Sequence, residues 1–227
     1  MDIDGEILYR IGNICDTCEA MFSKYREAQL PLAPPELAEL LCKGLLDIPQ
    51  AVLDTMVYVL PKGDYAVGLL DLQPALVRFK NPHYYIWENS QPAHVPHEWW
   101  PRSDPMTPWW FAQPSQRPGL QEYTLYEAIF PLVREGQLNS STLQSCIDTL
   151  QNNITPTALA LSVVDERFVS GRVFDWRLIH FLLDGHHKMM AACHARKPIT
   201  LLSFLNINES VASSQWLERA IQVRYQA

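Results

Sequence analysis

Apolar residues recur along the chain in blocks whose spacing changes from helical to strand-like and back. Ala20, Met21, Tyr25 and Ala28, following Cys15 to Cys18, recur at helical spacing and predict an opening helix. Pro34-Pro35 ahead of Glu36-Leu37-Ala38-Glu39-Leu40-Leu41-Cys42 puts proline at a helix start and acids in its first turn, with Gly44 as the stop. Residues 55–60 and 65–70 are rich in β-formers and flank Pro61-Lys62-Gly63-Asp64, which reads as a hairpin with a four-residue turn. Residues 123–134 suggest a helix bent or broken near Pro131, and Ser140-Ser141 caps a helix through Leu143, Cys146, Ile147 and Leu150. The rest alternates regularly: strand 159–164, strand 177–183, helix 186–196, strand 199–205 and a last helix 214–225. Neither an internal repeat nor a low-complexity tract interrupts this order.

Between these blocks, residues 81–118 hold eight of the 17 prolines, together with Trp87, Trp99, Trp100, Trp109 and Trp110 and with His83, His94 and His97. Closely spaced prolines remove backbone donors and restrict the residues before them, so regular structure is not expected there. That much tryptophan predicts an ordered loop that wraps the body, lines a pocket or covers a partner. The chain thus divides into residues 1–80, with helices, a β-hairpin and a C-x-x-C; residues 81–118, the Pro/Trp-rich loop; and residues 119–227, a small α+β domain. The fold class is α+β, a small mixed sheet with packed helices behind a helical and hairpin N-terminal part.

With 48% apolar and 11% aromatic residues among 227, the chain can bury a core, which excludes a disordered reading. The net charge of −7 opposes a broad electrostatic footprint on duplex nucleic acid or anionic lipid. No apolar run suits a membrane span, and the opening Met1-Asp2-Ile3-Asp4-Gly5-Glu6 is acidic where a signal peptide is basic. Five cysteines at scattered spacings fit reduced thiols, and the expected location is cytoplasmic.

Leu182-Leu183-Asp184-Gly185-His186-His187-Lys188 carries the densest chemistry. An apolar strand that ends in Asp-Gly and turns at once into a helix leaves several backbone N–H groups without intrahelical partners, an arrangement that attracts anions. His186, His187 and Lys188 fill the first turn, where the helix dipole opposes a positive charge by about 0.3–1 kcal/mol. A phosphate offsets both, because imidazole N–H and ammonium groups grip its oxygens. The competing reading is structural: Asp184 as N-cap, Gly185 as a tight turn and the histidines as a surface pair.

Asp184, Gly185, His186 and His187, followed by Lys188, Ala191-Ala192 and the strand Pro198-Ile199-Thr200-Leu201-Leu202, resemble the superfamily of ParB N-terminal domains and sulfiredoxins. The resemblance is strongest to its branch with a D-G-H-H-R signature, which includes free serine kinases, and spans about the last 90 residues. It implies a ParB/sulfiredoxin-like domain in which Gly185, His186, His187 and Lys188 face a nucleotide, ATP or ADP with magnesium, or a phosphorylated small molecule. It further implies kinase-like phosphotransfer, with Asp184 and His187 in catalytic roles and Glu122, Glu127, Asp165 and Glu166 as other acids to weigh as the base. Sulfiredoxins carry a reactive cysteine where this chain has His186, so sulfinic acid reduction is not expected. ParB proteins carry a G-E-R-R type motif at this place. Lys188 keeps the charge of the branch's arginine without its bidentate fork.

Cys15-Asp16-Thr17-Cys18 has the spacing of a zinc knuckle or a redox dithiol and also suits idle thiols; zinc at Cys15 and Cys18 needs two further ligands, for which Cys42, His83, His94 or His97 would have to be recruited. His94 and His97 on a proline-rich loop and a Cys193-His194 pair read more simply as structural groups, while Ser170-Gly171-Arg172 reads equally well as a turn whose arginine reaches a phosphate and as a plain hairpin turn. Two function classes result: a nucleotide- or phosphate-binding protein, and a noncatalytic module that binds a protein partner through the tryptophan-rich loop and N-terminal helices.

Overall fold

The computed structural model describes residues 2–3, 6–7, 9–14, 19–24, 31–32, 34–78, 109–113, 124–133, 135–169 and 173–225. Near the N-terminus, β1 (Asp2–Ile3) pairs with β2 (Glu6–Ile7), and β3 (Tyr9–Ile14) pairs antiparallel with β4 (Glu19–Lys24). Ala20 and Met21 therefore lie on a strand and not on the expected helix. A few apolar positions do not separate the two periods, and six cross-strand pairs with β3 satisfy the backbone here.

Helix α1 (Pro34–Lys43) begins on its prolines and ends at Gly44, whose φ of +83° is the left-handed stop that glycine provides. Helix α2 (Gln50–Val57) replaces the first strand of the expected hairpin. Val52, Thr55 and Met56 are buried at helical spacing, and Thr55 Oγ1 donates to the Ala51 carbonyl at 2.7 Å, so burial overrides the β-propensity of Thr55 and Val57.

A mixed sheet of seven strands forms the centre of the described residues, in the order β5-β11-β9-β10-β8-β7-β6. Its strands are β5 (Tyr65–Leu72), β6 (Ala75–Arg78), β7 (Trp109–Gln113), β8 (Thr124–Pro131), β9 (Thr157–Val169), β10 (Val173–Asp184) and β11 (Ile199–Asn206). The last four occur where alternation or apolar runs predict strands, with one exception. Residues 124–131 form a strand, parallel to β10 and antiparallel to β7, and not a kinked helix. Their β-branched and aromatic content suits a strand buried between two neighbours, and Pro131 stands at its end, where a missing donor costs least. β5 pairs antiparallel with β11 and so takes no part in a hairpin with residues 55–60. β7 brings regular structure into the Pro/Trp-rich stretch, on a proline-free run bounded by Pro108 and Pro114, with Phe111 fully buried.

Alternation along the strands sorts their side chains onto two covered faces. Leu159, Leu183, Leu202 and Phe204 meet α1 and α2 on one face. On the other, Ala158, Ala160, Leu182, Leu70 and Leu201 meet α3 (Ser140–Gln151) and α4 (His186–Ala195). Further along that face, Val164, Leu178 and Leu205 carry α5 (Ser214–Arg224). Every residue of β11 is buried, as a strand covered on both faces requires. Among the described residues no helix is long and apolar enough to cross a membrane.

Candidate anion-binding turn

β8 and β10 run parallel with Pro131 opposite Leu182, so both end at the same edge of the sheet. Ligands of open α/β sheets settle at such carboxyl ends. A bulge at Leu183 interrupts the pairing of β10 with β9 just before the turn. Gly185 follows with φ +91°, and a Cβ there would fall 2.7 Å from Ala158 Cβ and 2.9 Å from Ala158 Cα. Glycine is thus required both by the backbone angle and by the close approach of the turn to β9. The first intrahelical bond of α4 is Met189 N–H to the Gly185 carbonyl, at 2.8 Å, so the amides of His186, His187 and Lys188 lie ahead of it.

Asp184, His186, His187 and Lys188 converge here, each 1–4% exposed, which removes the reading of the histidines as a surface pair. His186 Nε2 accepts the Leu132 N–H at 3.1 Å, and His187 Nε2 accepts the Asn139 N–H at 2.8 Å. A ring nitrogen that accepts must carry a lone pair, so both imidazoles are neutral with the proton on Nδ1. Burial, reinforced by neighbouring His187, pushes His186 down to about 3. Burial also lowers His187, against the pull of Asp184. Asp184 does not cap the helix; Gly185 occupies that position, and Asp184 Oδ2 accepts from Lys188 Nζ at 3.1 Å. The same ammonium donates to the Thr157 carbonyl at 3.2 Å.

His186 and His187 therefore tie the segment after β8 to the start of α4. Asn139 in turn caps α3, its Oδ1 accepting from Ser141 N at 2.9 Å and Thr142 N at 3.1 Å. The starts of α3 and α4 are joined through one imidazole.

Of the other acids, Glu127 and Asp165 lie opposite Leu178 and Arg177. At about 3.3 Å per residue they stand some 20 Å along the sheet from Asp184, too far to act on a phosphate at the turn. Glu122, Cys15, Cys18, His83, His94, His97 and Ser170-Gly171-Arg172 lie outside the described residues, as does the side chain of Glu166. Cys42 is exposed on α1. Cys193 donates to the Pro74 carbonyl at 3.3 Å, and burial pushes its thiol up to about 12, which leaves no thiolate for nucleophilic chemistry.

A second polar group was not read from the sequence. Ser203, Ser162, His180 and Glu127 form a row across four strands, with Arg224 and Tyr225 at the end of α5 closing over it. Its signal was available: each is a polar residue at an inward position of an otherwise apolar strand.

No family model matches the chain, and no curated protein or solved structure matches it either.

Proposed function

We propose that this protein binds the phosphate of a nucleotide, ATP or ADP with magnesium, or of a phosphorylated small molecule at the turn from Asp184 to Lys188, as a ParB/sulfiredoxin-like domain with kinase-like phosphotransfer as its reaction. One observation carries the reading: a strand ends in a left-handed glycine and passes at once into α4, beside the end of parallel β8. In this reading the backbone amides of the first turn of α4 meet the phosphate oxygens, and Lys188 balances the charge. The two histidines act by holding the 132–139 segment beside the phosphate, since their Nε2 atoms are already engaged. Asp184, the acid nearest the turn, serves as the base when a bound phosphate draws Lys188 away, and His187 orients the segment that faces the acceptor.

Thermal unfolding with ATP, ADP or CTP and magnesium tests this. A binder at a hundredfold its Kd stabilises the fold by about 2.7 kcal/mol, read as a rise in Tm. The His187→Ala, Lys188→Ala double substitution is expected to abolish the rise. His187→Gln, which keeps an acceptor for Asn139 N–H, is expected to retain most of it. No rise with any nucleotide or with inorganic phosphate sinks the reading.

A noncatalytic protein-interaction module is the second reading, favoured by apolar side chains left exposed around α1 and α2: Leu46 entirely, Val57 at 74% and Tyr58 at 45%. Here nucleotides leave Tm unchanged, while a stoichiometric partner is recovered whose binding is lost in Leu46→Asp.

A further inference from the structure

The polar row beneath α5 runs from Tyr225 round to Arg224. Tyr225 Oη and Ser203 Oγ are 2.6 Å apart, Ser203 Oγ and Ser162 Oγ 2.7 Å, and Ser162 Oγ and His180 Nδ1 2.7 Å. On the far side, Arg224 Nε donates to Glu127 Oε1 at 2.5 Å, and Arg224 Nη2 donates to the Asp71 carbonyl at 3.3 Å. Arg224 and Tyr225 are consecutive, so the end of α5 is fastened from both sides. One link is open. His180 Nε2 is fully buried with no hydrogen-bond partner among the described residues, and it stands 4.0 Å from Glu127 Oε1, the very oxygen that holds Arg224.

That separation fits a lone pair on Nε2 facing a carboxylate, with the ring proton on Nδ1 given to Ser162 Oγ; an imidazolium N–H so placed would close to about 2.8 Å. Burial raises the carboxyl of Glu127, but His180, once protonated, and Arg224 outweigh it and hold the group below its usual range. The charged or titratable groups at this point are Glu127 from β8, His180 from β10, and Arg224 and Tyr225 from α5; β7 places the uncharged Gln113 opposite Glu127 and the apolar Phe111 opposite Ile129. The apolar hold on α5 consists of Leu217 and Ala220, which are buried, with Ile221 and Tyr225 packed partly buried beside them.

We propose that α5 is a strap over the polar row, fastened by Arg224 to Glu127 and loosened when His180 takes up a proton at Nε2 and draws the shared carboxylate oxygen to itself. The proton comes from solvent, no bond between heavy atoms is made or broken, and the outcome is two cations competing for one carboxylate.

Amide hydrogen exchange on the full chain, corrected for intrinsic rates, tests this between about pH 8 and about pH 5.5. Protection of Ile221 to Arg224 is expected to fall toward acid by about tenfold more than that of Met189 to Ala192 in α4, which follow only the loss common to the whole fold. In His180→Gln the α5 amides are expected to show no such excess. An α5 fall that only matches that of α4 in the wild type, or an equal excess in His180→Gln, overturns the proposal. Nitrogen NMR of the unaltered protein decides it without a variant: the His180 ring and Arg224 Nε signals should titrate together, and an Arg224 signal that ignores the ring, or a ring that never changes protonation, overturns it.

Discussion

Lys188 is 2% exposed, and its ammonium is held by one carboxylate and one carbonyl. A buried charge without its partner is costly, so Lys188→Met, which keeps the stem and strands Asp184, is expected to lower stability by about 3–5 kcal/mol in urea unfolding. Adding Asp184→Asn to the same chain is expected to recover much of that loss, because the pair is then removed together. At this scale the sequence announced which residues gather: Asp184 to Lys188 are contiguous, and the Gly185 turn follows from its neighbours. It did not announce where the side chains point. A basic residue in a first helical turn is compatible with either direction until the segment that packs on it is known, and the N–H groups that donate to His186 and His187 come from residues about fifty positions away. His180, Ser162 and Ser203 are the converse case, three polar residues inside apolar strands whose common face shows only once the register is set.

α3 begins where Asn139 turns its side chain onto two amides, while its own N–H is held by His187. Asn139→Ala is expected to cost about 0.5–2 kcal/mol, measured as a shift in the urea midpoint, with the loss of protection confined to the first turn of α3. Among the elements, β9, β10, α4 and α5 were legible because they run ten residues or more with ends marked by glycine, proline or polar residues, and β11 because its apolar run starts directly after Pro198. β4, α2 and β8 were not. Each is eight residues or fewer, and each owes its form to a partner distant in sequence or to the layer it covers: β3 for the first, the buried face of the sheet for the second, β10 for the third. Short apolar runs carry no period strong enough to oppose such contacts.

Across the whole molecule, acid acts on several buried groups in the same direction. His186 is lowered from 6.5 to about 3 by burial and by His187, and His187 is lowered as well. The unfolded chain therefore binds protons that the fold refuses, and stability present above pH 6.5 is lost as pH falls from there toward 3. Glu127, held below the usual carboxylate range, adds a further loss under more acid conditions. Urea unfolding is expected to show stability declining from pH 7 to pH 4, with His186→Gln flattening the part of the decline above pH 5. The layered arrangement binds the N-terminal helices to the turn as well: Leu45, after α1, donates its N–H to Thr157 Oγ1 at 2.8 Å, and the carbonyl of that threonine holds Lys188. β11, sandwiched between β5 and β9, gives this unity a practical side. Excising residues 119–227 to obtain a smaller piece would strip β5 away and leave an eight-residue strand, five of its residues apolar, with bare amides and carbonyls, a template on which copies of the fragment would stack into fibrils.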